Sequence, residues 1–148
     1  MYKTILVPLD GSSLAETILP HVEELAGLCG ASVIFLNVVE LPHIMDKGVT
    51  YEGLPQKTAT DVEAEVDEAR RYLDELTARE AARGLQVRGE VEHGPVVATI
   101  LRVATANAAD LIAMASHGRG GLTEVYYGSV AAGILQRIDR PLLIVRGQ

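Results

Sequence analysis

The residues best suited to chemistry lie between Ala115 and Ser129, in the order Ala115-Ser116-His117-Gly118-Arg119-Gly120-Gly121, Leu122–Tyr127, Gly128-Ser129. Gly118, Gly120 and Gly121 permit positive φ and close backbone approach, so successive N–H groups can converge on an anion. Gly128-Ser129 is placed to open a helix, where free N–H groups and the helix dipole favour negative charge. Ser129 adds a hydroxyl donor, and Arg119 is the one cation of the loop. The same residues also suit a plain glycine turn with Ser129 as an ordinary N-cap, and on chemistry alone both readings stand. Two generic phosphate templates fail. G-x-x-x-x-G-K-[ST] lacks its Lys, and in G-x-G-x-x-G the glycine due after Gly118-x-Gly120 is Thr123.

The elements around this loop follow from the hydrophobic pattern. Thr4–Leu9, Ser32–Val39, Val87–Val91, Leu111–Met114 and Leu142–Val145 are short apolar runs. Ile5-Leu6-Val7, Leu111-Ile112-Ala113-Met114 and Leu142-Leu143-Ile144-Val145 are continuous rather than alternating, the mark of strands covered on both faces. Val87–Val91 alternates with Arg88 and Glu90, which suits an edge strand. Helical signals separate the runs. Ser13-Leu14-Ala15-Glu16 has the form of a capping box opening a helix that ends near Gly30. Thr60-Asp61-Val62-Glu63 is a second capping box, followed by an apolar stripe of Val62, Val66, Ala69, Leu73 and Leu76 to about Arg83, with Gly84 as terminator. Asp67–Arg71 and Glu75–Arg79 add i,i+4 pairs on the wet side. Gly94-Pro95 opens a third helix to about Asn107, and Gly128-Ser129 a fourth that stops before Asp139-Arg140-Pro141.

Alternation of strand and helix implies an α/β fold: an open, doubly wound five-stranded parallel sheet of order 3-2-1-4-5, with helices on both faces, Rossmann-like. Ligands in such sheets bind beyond the carboxyl ends of the strands where the winding reverses. That geometry directs Leu9-Asp10-Gly11 and Ala115–Gly118 toward a ligand. The connection Leu41–Lys57, with Pro42, Gly48, Gly53 and Pro55, is long enough to be a flap or a plain surface excursion.

A chain of 148 residues fits one domain, 1–148, able to bury a core without staples. A single cysteine, Cys29, excludes an internal disulfide; it reads as a small buried hydrophobe or a redox thiol. No run of 18 apolar residues exists, so no membrane association is expected, and Asp10 interrupts the N-terminal run; the expected location is the cytoplasm. A net charge of −7 without a Lys/Arg block argues against nucleic acid as partner. His117 and Arg119 are the only local candidates for turnover chemistry, with Glu124 a candidate metal-side carboxylate. Because adjacent side chains diverge, Ser116 and His117 cannot form a triad. No metal site and no catalytic residue are assigned: the expectation is a binder with slow or absent hydrolysis.

The spacing Ala115-x2-Gly118-x9-Gly128-Ser129 resembles the G-x2-G-x9-G-[ST] signature of the universal stress protein family. The likeness extends over the chain, through MYKTILVPLDGS, Ala109–Met114 and Arg140–Val145. It implies an ATP site, with or without Mg2+. Pro8, Leu9 and Asp10 follow the first strand, where the family aspartate meets ribose or adenine, and Val38 stands where a backbone position holds the adenine edge. Met114, Ala115, Ser116, His117, Gly118 and Arg119, then Gly128, Ser129 and Val130, match positions that wrap ribose and triphosphate. An ionised Asp10 within about 4 Å of a phosphate would cost roughly 4 kcal/mol at an effective dielectric near 20, so it belongs at the nucleoside end. Ala115 departs from the motif glycine, and its β-carbon would cost about 1–2 kcal/mol if the position were left-handed. The resemblance also implies a homodimer paired through Leu142–Val145. The functions that follow are a nucleotide-responsive regulatory module of the stress response, a dimeric interaction protein of the same fold without nucleotide, or a slow ATPase.

Overall fold

The computed structural model describes residues 1–40, 59–116 and 128–147. The connection 41–57, with its expected flap, and His117, Gly118, Arg119, Gly120, Gly121 and Glu124 lie outside the described residues. Five strands, β1 (Thr4–Pro8), β2 (Ser32–Val39), β3 (Val87–His93), β4 (Leu111–Ala115) and β5 (Leu142–Val145), form one parallel sheet of order β3-β2-β1-β4-β5. Helices α1 (Leu19–Cys29), α2 (Ala59–Ala82), α3 (Val96–Ala106) and α4 (Ser129–Arg137) connect them, with a 3₁₀ turn at Ala15–Ile18 ahead of α1. Among the described residues no helix is long and apolar enough to cross a membrane.

The continuous apolar runs are explained by the two faces they must fill. Successive strand side chains point to opposite sides. Ile5, Val7, Val33, Phe35, Leu111 and Ala113 pack with Leu19 and Val22 of α1 and Leu73 and Leu76 of α2. Leu6, Ile34, Leu36, Ile112 and Met114 pack on the other side with Ile100 and Val103 of α3 and Ala131 and Ile134 of α4. A polar residue at any of these strand positions would be buried whichever way it faced. β3 is an edge strand, as its alternating charge predicts, and β5 forms the opposite edge with all four residues half-buried.

Helix boundaries show where local signals were displaced. Ser12, not Ser13, caps the first helical turn: its hydroxyl accepts from the Ala15 N–H at 3.1 Å and donates to Asp10 Oδ1 at 2.6 Å. That turn is 3₁₀, and the α-helix proper begins at Leu19. It ends on Gly30 in the left-handed conformation, φ 67°, which glycine adopts without a Cβ penalty. α2 starts at Ala59, so Thr60 is already helical and does not serve as its N-cap. The α2 stripe faces the core as expected, but Arg79 reaches Glu16 and Glu80 rather than Glu75. Cys29 is partly rather than fully buried, packed against the α1 side of the core.

At the amino-terminal ends of the strands, Asp110 ties β1 to β4. Its carboxylate accepts from the Lys3 N–H at 2.8 Å and the Thr4 N–H at 3.1 Å. Partial burial works against its ionisation, yet these N–H groups hold its pKa below the usual carboxylate range. The opposite, carboxyl-end edge is thereby left to the connections that carry the candidate site.

Candidate functional site

The sheet winds one way from β1 through β2 to β3, then crosses back to β4 and β5, so its reversal lies between β1 and β4. A cleft of about 740 Å³ opens there. Of the residues expected from sequence, Pro8, Leu9, Asp10, Val38, Met114, Ala115, Ser116, Gly128, Ser129 and Val130 all line it. His117, Gly118 and Arg119 fall outside the described residues. The topology therefore converges chain segments that are more than a hundred residues apart.

On the β1 side, the Leu9 N–H donates to the Leu36 carbonyl at 2.8 Å and holds the strand end beside β2. Asp10 is half-buried and accepts from both the Ser12 N–H, at 2.9 Å, and the Ser12 hydroxyl. This local turn fixes the carboxylate at the cleft wall. Asp10 thus braces Ser12 ahead of the first helical turn and lines the cleft.

On the β4 side, Ala115 is the last strand residue, pairs with Val145 and is buried. Among the described residues Ala108 is the only non-glycine with positive φ, so Ala115 is not left-handed and carries no strain from its β-carbon. The Ser116 N–H donates to the Val145 carbonyl at 2.8 Å, and the Ser116 carbonyl accepts from the Gly128 N–H at 2.5 Å. This bond closes the base of the 117–127 segment and seats the start of α4 against the end of β4. Gly128 lines the cleft with its N–H committed to the Ser116 carbonyl.

The helix start itself supplies the donors. Gly128 is the N-cap and Ser129 the first helical residue, so Ser129 is not the N-cap, and no side chain caps the helix. The first i→i−4 bond runs from the Ala132 N–H to the Gly128 carbonyl at 2.9 Å. The N–H groups of Ser129, Val130 and Ala131 precede it and have no intrahelical acceptor. All three residues line the cleft. Ser116 adds a buried hydroxyl, 5% exposed as a residue, with no hydrogen-bond partner among the described residues. An uncapped dipole and an orphan donor beside it suit an anion.

The other wall comes from α2, which sequence reasoning did not assign to the site. Glu65, Glu68, Ala69 and Tyr72 face the cleft. The signal was present: these residues flank the stripe through Ala69 at helical spacing, and a helix returning antiparallel to the strands must start at their carboxyl ends. The Tyr72 hydroxyl is shielded from water and has no partner among the described residues. Burial raises the Tyr72 pKa well above the usual phenol value, and the Glu16 and Asp10 carboxylates add to the shift. It stays a neutral donor. Among the described lining residues, Asp10, Glu40, Glu65 and Glu68 are acidic and none is cationic.

A family model described as the universal stress protein family matches residues 1–146. Universal stress protein MJ0577 of Methanocaldococcus jannaschii is 29% identical over 156 aligned positions, covering 99% of this chain and 96% of the relative. The solved structure of hypothetical protein MJ0577 is similar with a TM-score of 0.82 at 27% identity, covering 100% of this chain and 98% of the other. A universal stress protein in complex with cAMP has a TM-score of 0.70 at 20% identity, with 98% and 97% covered. The universal stress protein of Archaeoglobus fulgidus in complex with dAMP has a TM-score of 0.67 at 20% identity, with 98% of each chain covered. At that identity the last two establish likeness of fold alone.

Proposed function

The chain belongs to the universal stress protein family, and from that premise we propose that it binds an adenine nucleotide, ATP with or without Mg2+, and acts as a regulatory module of the stress response. One observation carries the reading. A single cleft at the strand-order reversal has a fixed carboxylate, Asp10, on one wall and the uncapped start of α4 with the Ser116 hydroxyl on another. A nucleotide is a ligand with matching ends: sugar hydroxyls and base for the carboxylate, phosphates for the N–H groups. Asp10 and the Val38 backbone would hold the nucleoside. Ser116, Ser129 and Val130 would hold phosphate, with Met114 and Ala115 as the apolar floor. Ala115 is not left-handed, so its β-carbon brings no backbone strain to the first motif position. The cAMP and dAMP complexes of two proteins of the same fold support the ligand class.

Titration of the purified protein with ATP by calorimetry tests this. Saturable heat at about one nucleotide per chain supports it; no heat, together with no nucleotide released by acid from the purified protein, overturns it.

We further propose one domain over residues 1–148 and a homodimer through β5. The support is an apolar edge strand, Leu142–Val145, whose side chains are half-buried and whose outer backbone edge faces away from β4. Sedimentation at micromolar concentration checks it, and a monomer refutes it.

A further inference from the structure

The buried side-chain polar atoms without a hydrogen-bond partner among the described residues are the Tyr72 hydroxyl, Glu80 Oε2 and the Ser116 hydroxyl. Tyr72 and Ser116 both line the cleft, one on α2 and the other directly after β4. Ser116 belongs to the anion end described above. Tyr72 stands on α2, among carboxylates, where no phosphate would be stable. Glu16 lies near enough to raise the phenol's pKa, but its carboxylate is engaged by the Arg79 guanidinium at 3.0 Å, and the Tyr72 hydroxyl finds no hydrogen-bond partner among the described residues. Asp10 lines the same cleft and is close enough to act on Tyr72 electrostatically. A buried hydroxyl without a partner is costly in the free protein. A ligand atom that accepts from it recovers that cost.

We propose that Tyr72 is a specificity-determining residue at the nucleoside end of the cleft, donating its O–H to the ribose hydroxyl oxygen whose own proton Asp10 accepts. A hydroxyl is both donor and acceptor, and the pair Asp10 and Tyr72 meets both capacities at once. The ligand class is then a ribonucleoside phosphate rather than its deoxy counterpart. A site built to hydrogen-bond a substrate hydroxyl discriminates strongly against the analogue that lacks it, because the buried groups are left unpaired. The inference rests on the nucleotide-binding reading and goes beyond it by naming the residue and the sugar it selects. It also draws α2 into the site, so that sugar recognition acts on the helix that carries Glu65 and Glu68.

The test is a mutant cycle with Tyr72→Phe, read by calorimetric affinity for ATP, 2′-deoxy-ATP and 3′-deoxy-ATP, with thermal unfolding of the ligand-free proteins alongside. The expected result is ATP binding weakened roughly fivefold to tenfold by Y72F. The loss should vanish with one of the two deoxy analogues. The ligand-free variant should melt at or above the wild-type temperature, since an unsatisfied hydroxyl has been removed; a merely structural tyrosine would give a lower melting temperature. An equal loss with all three nucleotides, or no loss with ATP, overturns the role of Tyr72 and leaves the nucleotide reading intact. Failure of wild-type protein to bind any of the three overturns both.

Discussion

Replacing Glu80 with methionine should stabilise this protein, although Glu80 takes part in two ion pairs. Its side chain is 1% exposed. One oxygen accepts from Arg79 Nε at 3.1 Å and lies 3.9 Å from Arg83, while Oε2 is buried without a partner among the described residues. Both arginines are more than half exposed and have other acceptors, Glu16 at 3.0 Å and Glu23 at 3.2 Å. Removing Glu80 therefore strands no buried charge. The pairs lost are worth about 0–1 kcal/mol each at such exposure, against about 1–3 kcal/mol for the unsatisfied buried oxygen. Methionine nearly conserves volume and favours helix. The net expectation is about 1 kcal/mol of added stability, a rise of roughly 2–4 °C in Tm for a chain of this size.

The gain should depend on pH. Burial, then the neighbouring Glu80 carboxylate, raise the Glu23 pKa above its ordinary 4.5, with Arg83 and Arg79 opposing. A raised carboxyl pKa contributes stability that is full below the ordinary value and lost as pH rises through the raised one. Wild type is thus penalised at neutral pH in a way that E80M relieves, and the gain should be larger at pH 8 than at pH 5. Denaturant unfolding of both proteins at the two pH values checks this. A variant less stable than wild type by 1 kcal/mol or more, or a gain confined to acid pH, would refute the reasoning.

Other expectations follow from the same geometry. Ala115→Gly should cost about 1–2 kcal/mol of stability, from a buried methyl and a freer strand backbone, while ATP affinity by calorimetry changes less than about threefold, since no left-handed strain is there to relieve. Gly133→Ala should destabilise by about 1 kcal/mol despite better helix propensity, because the new Cβ would stand 2.7 Å from Val97 Cγ2; Val97→Ala in the same chain should recover most of the loss in thermal melts. Four carboxylates line the cleft with no described cation, and each within about 8 Å of a phosphate costs roughly 2 kcal/mol at an effective dielectric near 20. ATP should accordingly bind at least about tenfold tighter with Mg2+ than in EDTA, and AMP much less so.

The fold was legible because its determinants are periodic. Ile5-Leu6-Val7 and Leu111–Met114 must be buried on both faces, and only a sheet between helix layers does that. The cleft was legible where topology fixes position, as with Asp10 directly after β1 and the glycine-serine start of α4 beside β4. Legibility failed where neighbours compete for a role. Ser12 and Ser13 are equally good caps on paper, and the bond from Ser12 to Asp10 decides between them. The bond from the Gly128 N–H to the Ser116 carbonyl joins segments whose pairing no local pattern encodes. Tyr72 and Glu80 were missed for a related reason. Tyr72 flanks the α2 stripe, and which flank meets the cleft depends on the packing angle of the helix; Glu80 continues the stripe four residues after Leu76, where a carboxylate gives no sign of burial.

Titrating the isotopically labelled protein with Mg-ATP and following its amide spectrum shows whether nucleotide enters this cleft. A chain of 15.8 kDa suits it. The expected result is saturable shifts of the Ser129, Val130 and Ala131 amides, with Ser12 responding as Asp10 engages the sugar, and little change at the amino-terminal strand ends around Lys3 and Asp110. Shifts gathered elsewhere, or an unchanged spectrum at millimolar nucleotide, would contradict it.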